Sequence, residues 1–262
     1  LRFGLGAVAS QASADPSYGW RGLALMAEGI DPASALQDLS EADEGREHRQ
    51  VAIMNAAGVV AARTGDLCIA HAGHIIGDGW SVQGNLLATP SVVEAMAAGY
   101  EASRGPLIER MLAALEAAER AGGDLRGRQS AVIRIVSGPA SSGSGLDEGV
   151  DLRVCDHEDP LGEMRRLVSV DEAYRELERG HAAVEDNRPA DALAHFGAAV
   201  ESGHEDELQF WRAIGLVSLG RLDDATDVLG SLVAHRPMYA ELLERVAVVD
   251  PVARDLWDAW NR

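Results

Sequence analysis

The first two-thirds of the chain alternates short apolar runs with segments of helical spacing. Residues 3–13 are small, apolar and glycine-rich, which predicts a buried strand that another backbone approaches closely. Residues 50–54 and 59–64 flank the sequence Asn-Ala-Ala-Gly and predict a β-hairpin with a glycine-containing turn. Further strands are predicted at 69–76, 80–84, 131–136 and 150–154, with a Ser/Gly loop at 139–145 before the last one.

Helices are predicted between these strands. A turn at 15–19, rich in Pro and Gly, precedes the first helix. The next has Asp31 as its N-cap and Pro32 in its first helical position, an arrangement that suits the start of a helix. The predicted helices are 22–29, 31–39, 89–99 and 106–121. Strands, then helices, then strands again suit a layered α/β or α+β domain with an antiparallel sheet, and we predict the α+β class.

From residue 167 onwards the pattern is helical throughout, and two segments align at an offset of 33 residues. Residues 187–192 match residues 220–225, and Phe196 falls over Leu229. The period resembles that of tetratricopeptide repeats, of which a stack normally needs about three. We therefore predict two regions, 1–166 and 167–262, with the helical tail packed on the first region or on a second copy. A plain helical bundle is the alternative.

Composition narrows the classes of function. The 23 basic residues are all Arg and face 42 acidic residues, a net charge of −19, which disfavours nucleic acid and anionic membrane surfaces as partners. The absence of Lys excludes lysine-based catalysis. Cys68 and Cys155 form no CxxC pair, which predicts reduced thiols in a cytoplasmic protein. No charged segment followed by an apolar one stands at the start of the sequence, so we expect no signal peptide, and we expect no cofactor.

Short motifs spread over residues 1–166 resemble a bacterial family, the domain of unknown function 1028 (DUF1028), which is grouped with the Ntn hydrolases. The motifs occur in family order at 9–12, 15–19, 21–23, 49–51, 72–74, 81–87, 122–131 and 150–154. The resemblance implies a four-layer αββα sandwich and hydrolysis of a small amide or ureide at its C–N bond. In Ntn hydrolases an N-terminal Thr, Ser or Cys attacks the carbonyl group, with its own α-amine as the base.

Leu1 carries no such nucleophile, and the family's opening strands would lie upstream of it. We expect a misassigned or shortened start; a processed chain and a non-catalytic member are the alternatives. No catalytic residue is named for this reason. The second functional hypothesis is a non-catalytic module that binds a ligand or a peptide, with the helical repeats contacting a protein partner. An open sheet edge and a short repeat stack also predict a homo-oligomer, taken to be a dimer.

Three polar groups are candidates for lining a pocket. The first group flanks the turn at 15–19 and consists of Gln11, Ser17, Tyr18 and Arg21. Alternatively, Tyr18 is a core anchor whose hydroxyl bonds the backbone. The second offers acid–base and oxyanion-donor chemistry, although a lone His near strands is more often structural; it consists of His74, Ser81, Gln83 and Asn85.

The third group precedes the strand at 131–136 and consists of Asp124, Arg126, Arg128, Gln129 and Ser130. Its Asp and Arg side chains suit a substrate carboxylate or amide. The alternative is a turn that an Asp–Arg pair stabilises. Residues 156–159 contain metal-ligand types, but adjacent residues on one loop rarely converge on one ion, so no metal is expected.

Overall fold

The structure is a computed structural model that describes residues 1–136, 149–201 and 205–262. The described residues divide into two compact units, the first of residues 1–136 and 149–165 and the second beginning at Arg166. The predicted Ser/Gly loop at 139–145 lies outside the described residues. Within them, none of the helices is both long enough and apolar enough to cross a lipid bilayer.

The largest sheet of the first unit has three antiparallel strands, in the order β1 (Gly6–Ala12), β2 (Arg49–Asn55) and β3 (Val60–Thr64). Strands β2 and β3 form the predicted hairpin. Its turn is held by Asn55, whose Oδ1 accepts the backbone N–H groups of Ala57 and Val59 at 3.0 Å each. An Asn at the start of a turn makes such bonds to its own backbone, which is why this sequence turns here.

Strand β1 departs from its predicted place in the interior. Among the strands that the structure describes, it pairs only with β2, at the edge of the three-stranded sheet, and Ala9 and Gln11 on it are exposed. The predicted close approach of another backbone is present, because a Cβ atom at Gly6 would lie 2.0 Å from the carbonyl oxygen of Met54. Small residues thus indicated close backbone contact correctly, but they carry no information on how many strands flank the contact.

Two helices cover one face of this sheet, α1 (Ser17–Ala27) and α2 (Pro32–Glu41). Helix α1 begins earlier than predicted because Asp15 Oδ1 accepts the N–H of Ser17 at 2.8 Å, which makes the predicted turn the start of the helix. Helix α2 begins as predicted. The carboxylate of Asp31 accepts the first free N–H groups of the helix at 3.0 and 3.1 Å.

A second, two-stranded sheet consists of β4 (Gly73–Gly77) and β5 (Trp80–Gly84). Strand β4 begins at Gly73 rather than at residue 69, because the preceding residues bond instead to the segment after β5, as in the 3.1 Å bond from Leu87 N to His71 O. Helix α3 (Ser91–Ala102) packs on this hairpin and α4 (Leu107–Arg120) packs on α3.

Strands β2 and β3 contact the β4–β5 hairpin. Side chains alternate across a strand, and Val51 and Ile53 pack with α1 and α2, so Gln50 and Ala52 face the hairpin. In the hairpin, Ile75 and Val82 pack with residues of α3, so His74 and Gln83 face the three-stranded sheet. The spatial order is therefore helices, three-stranded sheet, hairpin and helix.

The last strands of the first unit, β6 (Ala131–Ile135) and β7 (Val150–Val154), pair antiparallel as predicted. Ile133 on β6 is fully buried. The expectation of a mixed α and β region with small antiparallel sheets is confirmed at this level.

The C-terminal part of the chain is helical, as predicted. Its helices are α5 (Pro160–Glu185), which begins in the first unit, α6 (Pro189–Glu201), α7 (Glu205–Ser218), α8 (Leu222–His235), α9 (Met238–Val246) and α10 (Pro251–Trp260).

Helices α6 and α8 are preceded by similar turns. Asn187 (φ 56°) and Gly220 (φ 72°) both have the left-handed backbone conformation, and each helix begins two residues later. These two residues are aligned at the offset of 33 residues, and the aligned Phe196 and Leu229 are both fully buried. Gly and Asn are the residues that adopt this conformation most readily, so the aligned pair has a common physical reason.

Candidate functional site

Polar side chains meet between the three-stranded sheet and the β4–β5 hairpin. Gln50, at the start of β2, is fully buried. Its Nε2 donates to the carbonyl oxygens of Gly73 and Gly84 at 2.9 Å each and to Thr64 Oγ1 at 3.0 Å. Its Oε1 accepts from Asn85 Nδ2 at 3.2 Å. Gln50 thus joins one end of the hairpin to the sheet, and its amide has partners on both sides.

His74 on β4 also makes a hydrogen bond to the three-stranded sheet. Its Nδ1 lies 2.8 Å from Thr64 Oγ1, and its Nε2 makes no hydrogen bond to the part of the chain that the structure describes. Burial lowers the pKa of His74 from its ordinary value, so the imidazole is neutral at pH 7. A neutral imidazole has one ring nitrogen that donates and one that accepts, and here only one of the two is engaged by protein.

Two cavities border His74. One of about 420 Å³ is lined by Thr64, Asp66, Cys68, His74 and the backbone near them. The other, of about 360 Å³, is lined by His71, His74, Ile75, Leu87 and residues at the start of α3. His74 lies in the wall of both, which makes it the titratable group best placed to meet a small molecule in either cavity.

Gln83 lies directly opposite His74 in the register of β4 and β5, so the two side chains stand next to each other on one face. Both polar atoms of the Gln83 side chain, Nε2 and Oε1, are buried and have no hydrogen-bond partner among the described residues. An unpaired buried polar group costs about 1–3 kcal/mol. We call Gln50, Thr64, His74, Gln83 and Asn85 the inter-sheet cluster.

Comparison with known proteins identifies the family. Residues 1–164 match the model of a family of unknown function, DUF1028. The chain belongs to this family. It is also similar to the crystal structure of protein SPO2555 from Silicibacter pomeroyi, described with the same family model, at 31% sequence identity and a TM-score of 0.56, over 64% of this chain and 70% of that one. No curated protein matches this DUF1028 chain. The family resemblance expected from the motifs is thereby confirmed.

Of the three predicted groups, the DUF1028 structure brings together only part of the second. His74, Gln83 and Asn85 belong to the inter-sheet cluster, and Ser81 lies on β5 opposite Ile76. The sequence did not point to Gln50 and Thr64. The signal for Gln50 was available, because it is the only strongly polar residue in the apolar run 50–54, but a polar residue at a strand end is usually exposed.

The first predicted group is divided between strand β1 and helix α1. Tyr18 is 1% exposed and its hydroxyl donates to Asp43 Oδ2 at 2.9 Å and to the carbonyl oxygen of Leu39 at 3.3 Å, as a core anchor does. Gln11 is exposed on β1, while Ser17 and Arg21 lie on α1.

The third predicted group is an exposed turn of the DUF1028 region. Arg126 and Asp124 form an ion pair at 2.7 Å, and the guanidinium side chain of Arg126 is 71% exposed. Arg128 pairs with Glu119 at 2.6 Å, and the other members, Gln129 and Ser130, are exposed. The geometry fits the alternative of a turn stabilised by an Asp–Arg pair. Across the described ranges, no group of three His, Cys, Asp or Glu side chains is arranged to hold a metal ion.

Proposed function

We propose that the DUF1028 region hydrolyses the C–N bond of a small amide or ureide in the cavity beside His74 and Thr64. The observation that carries the proposal is the imidazole of His74, which lies in a cavity wall, is neutral at pH 7 and is oriented through Nδ1 by the hydroxyl of Thr64. A base within reach of a substrate, oriented by a third group and uncharged at working pH, is the arrangement that proton transfer requires.

The role of His74 in this reaction is to hold and return one proton. The oxygen of the attacking group bonds to the carbonyl carbon, and its proton passes to His74 Nε2, which accepts it in the tautomer whose Nδ1–H donates to Thr64 Oγ1. The C–N bond then breaks, and the proton passes from His74 to the departing nitrogen. Water completes the balance, so that an amide gives an acid and an amine, and a ureide gives a carbamate and an amine.

The Ntn-type form of this proposal is supported by the order of layers. The β4–β5 hairpin stacks on the three-stranded sheet, with α1 and α2 outside one layer and α3 outside the other. Ntn hydrolases have such αββα layers and attack amide carbonyls with an N-terminal Ser, Thr or Cys, whose own α-amine takes the proton that we assign here to His74. The layers therefore support the bond that is attacked, and the proton transfer rests on His74 alone. We assign the nucleophile to no residue of this chain, because a fold by itself does not establish a reaction.

The test uses the gene product as the cell makes it. Release of amine or ammonia is measured on a panel of small amides and ureides, for the unchanged protein, for His74→Ala and for Arg126→Gln, which changes the exposed turn and serves as the control. We expect hydrolysis that falls by about 10²-fold or more in His74→Ala and stays unchanged in the control. A protein that cleaves no member of the panel, or a His74→Ala variant as active as the parent, contradicts the proposal.

A second proposal concerns the helical region, which we propose is tetratricopeptide-like and contacts a partner, in the first instance a second copy of the chain. Support comes from the similar left-handed turns at Asn187 and Gly220 and from the burial of the aligned Phe196 and Leu229. Sedimentation of the whole chain over a wide concentration range tests this. A monomer at every concentration contradicts the second copy as the partner.

A further inference from the structure

Two glutamines of the inter-sheet cluster differ sharply in their bonding. Gln50 has three acceptors for its amide nitrogen and one donor for its oxygen. Gln83 is buried at both polar atoms and has no partner for either among the residues described. Buried polar groups in folded proteins are nearly always paired, and each exception needs a physical explanation. The cross-strand neighbour of Gln83, His74, borders a cavity large enough for a small molecule. A ligand that enters from this cavity would supply the missing partner of Gln83.

The carboxamide of Gln83 restricts what kind of group can pair with it. Its N–H donor and its C=O acceptor project side by side from one planar end. A group that satisfies both must itself offer an acceptor and a donor side by side. Primary amides, ureido groups and cyclic ureides do so. A secondary amide does not, because its trans geometry puts the N–H and the C=O on opposite edges. Ketones and esters have no donor.

We infer that Gln83 recognises the edge of a ureide or primary amide through two parallel hydrogen bonds, and that the site therefore discriminates against peptide-type amides. This inference rests on the proposed function, since it names the substrate class of the same site. Gln83 lines neither cavity, and both of its polar atoms are closed to solvent. Its ligand therefore enters from the cavity that His74 borders and reaches the carboxamide only when the side chains between them move aside. Gln83 sets specificity, whereas His74 transfers the proton.

Binding is measured without turnover. The whole chain is labelled with ¹⁵N, and the side-chain NH₂ signals of Gln83 are identified by their loss in Gln83→Met. The probes are N-methylurea and butyramide, with N-methylacetamide and 2-butanone as analogues that lack the paired donor and acceptor. We expect the first two to shift the Gln83 signals and to bind about tenfold more tightly than the analogues. In Gln83→Met the difference disappears. Equal binding of all four probes to the unchanged protein overturns the inference.

Thermal stability gives a second readout that needs no ligand. Met has nearly the same length as Gln and no polar group that burial penalises, so Gln83→Met is expected to raise Tm by about 2–4 °C. Gln50→Met is the matched control, and it is expected to lower Tm because it removes four bonds. If Gln83→Met lowers Tm as Gln50→Met does, a permanent partner such as a buried water satisfies Gln83, and the inference fails.

The outcomes also separate this inference from the hydrolase proposal. If the probes bind with the expected preference but the protein cleaves no amide or ureide, the role of Gln83 in ureide binding is retained and the hydrolase proposal is refuted. A protein that cleaves peptide-type amides as fast as ureides, with the same selectivity in Gln83→Met, retains the hydrolase and refutes the role of Gln83.

Discussion

The ion pair between Asp43 and Arg49 makes the most quantitative prediction. The carboxylate of Asp43 accepts from Arg49 Nε and, at 3.2 Å, from Arg49 Nη2. It also accepts from the Tyr18 hydroxyl at 2.9 Å and from the N–H of Gly45 at 2.9 Å. These donors, the Arg49 guanidinium above all, lower the pKa of Asp43 from 3.8 to about 2. The side chains of Asp43 and Arg49 are 13% and 18% exposed, so solvent screens the pair only partly.

The lowered pKa is also a statement about stability. Almost two pH units correspond to about 2 kcal/mol of extra stability when the carboxylate is ionised in the folded state. Because the pKa is lower in the folded than in the unfolded chain, this contribution is complete above about pH 4 and is lost as the pH falls towards 2. Asp43→Asn is therefore expected to lower the free energy of unfolding by about 2 kcal/mol at pH 7, and by about half as much near pH 3.

Urea unfolding at several pH values measures this, with Asp38→Asn as the control. Asp38 lies on α2, is exposed and makes the same change of charge. The control is expected to stay within about 0.5 kcal/mol of the parent. The reasoning is refuted if the two variants lose equal stability at pH 7, or if the loss in Asp43→Asn does not shrink as the pH falls.

Three further predictions follow from packing and backbone geometry, each measured by chemical denaturation. Phe196→Ala is expected to cost about 3–5 kcal/mol, because the ring is fully buried; a loss under 1 kcal/mol contradicts this burial. Gly6→Ala is expected to lower the free energy of unfolding far more than Gly4→Ala, since a Cβ at Gly6 would lie 2.0 Å from the Met54 carbonyl oxygen and one at Gly4 would have no described atom within 4 Å. Equal losses of stability in the two variants would contradict the close contact between β1 and β2. Asn187→Gly should be neutral or stabilising whereas Asn187→Val destabilises, unless the left-handed turn is absent.

Local chemistry explains which parts of the fold were predictable from the sequence. The hairpin at Asn55 and the start of α2 at Asp31 both depend on side chains that bond neighbouring backbone, so a few residues contain the whole cause. The edge position of β1 depends on strands far away in the sequence. The start of α1 was missed because a Pro-Ser-Tyr-Gly sequence suits a turn as well as a first helical turn, and here the carboxylate of Asp15 accepts the N–H of the first helical residue, Ser17.

The candidate site was predicted in part for the same reason. His74, Gln83 and Asn85 are close in sequence and were grouped on residue type. Gln50 and Thr64 come from another sheet, and they lie next to His74 only because the hairpin stacks on β2 and β3. Asp124 and Arg126 were selected as the densest polar run, but polar density also describes an exposed turn.

The two glutamines of the inter-sheet cluster should therefore affect a ligand in different ways. Gln50 bonds the carbonyl oxygens of Gly73 and Gly84, the register pair next to His74 and Gln83. Its loss releases the end of the hairpin, which displaces both neighbours and should weaken every ligand of the site to a similar extent. The Gln83 side chain makes no hydrogen bond within the described ranges, so its replacement should leave the site in position and change only which ligands it prefers. We therefore expect Gln50→Met to lower the affinity for every ligand and Gln83→Met to change only the selectivity. This result would show that Gln50 keeps the site in position and that Gln83 selects the ligand.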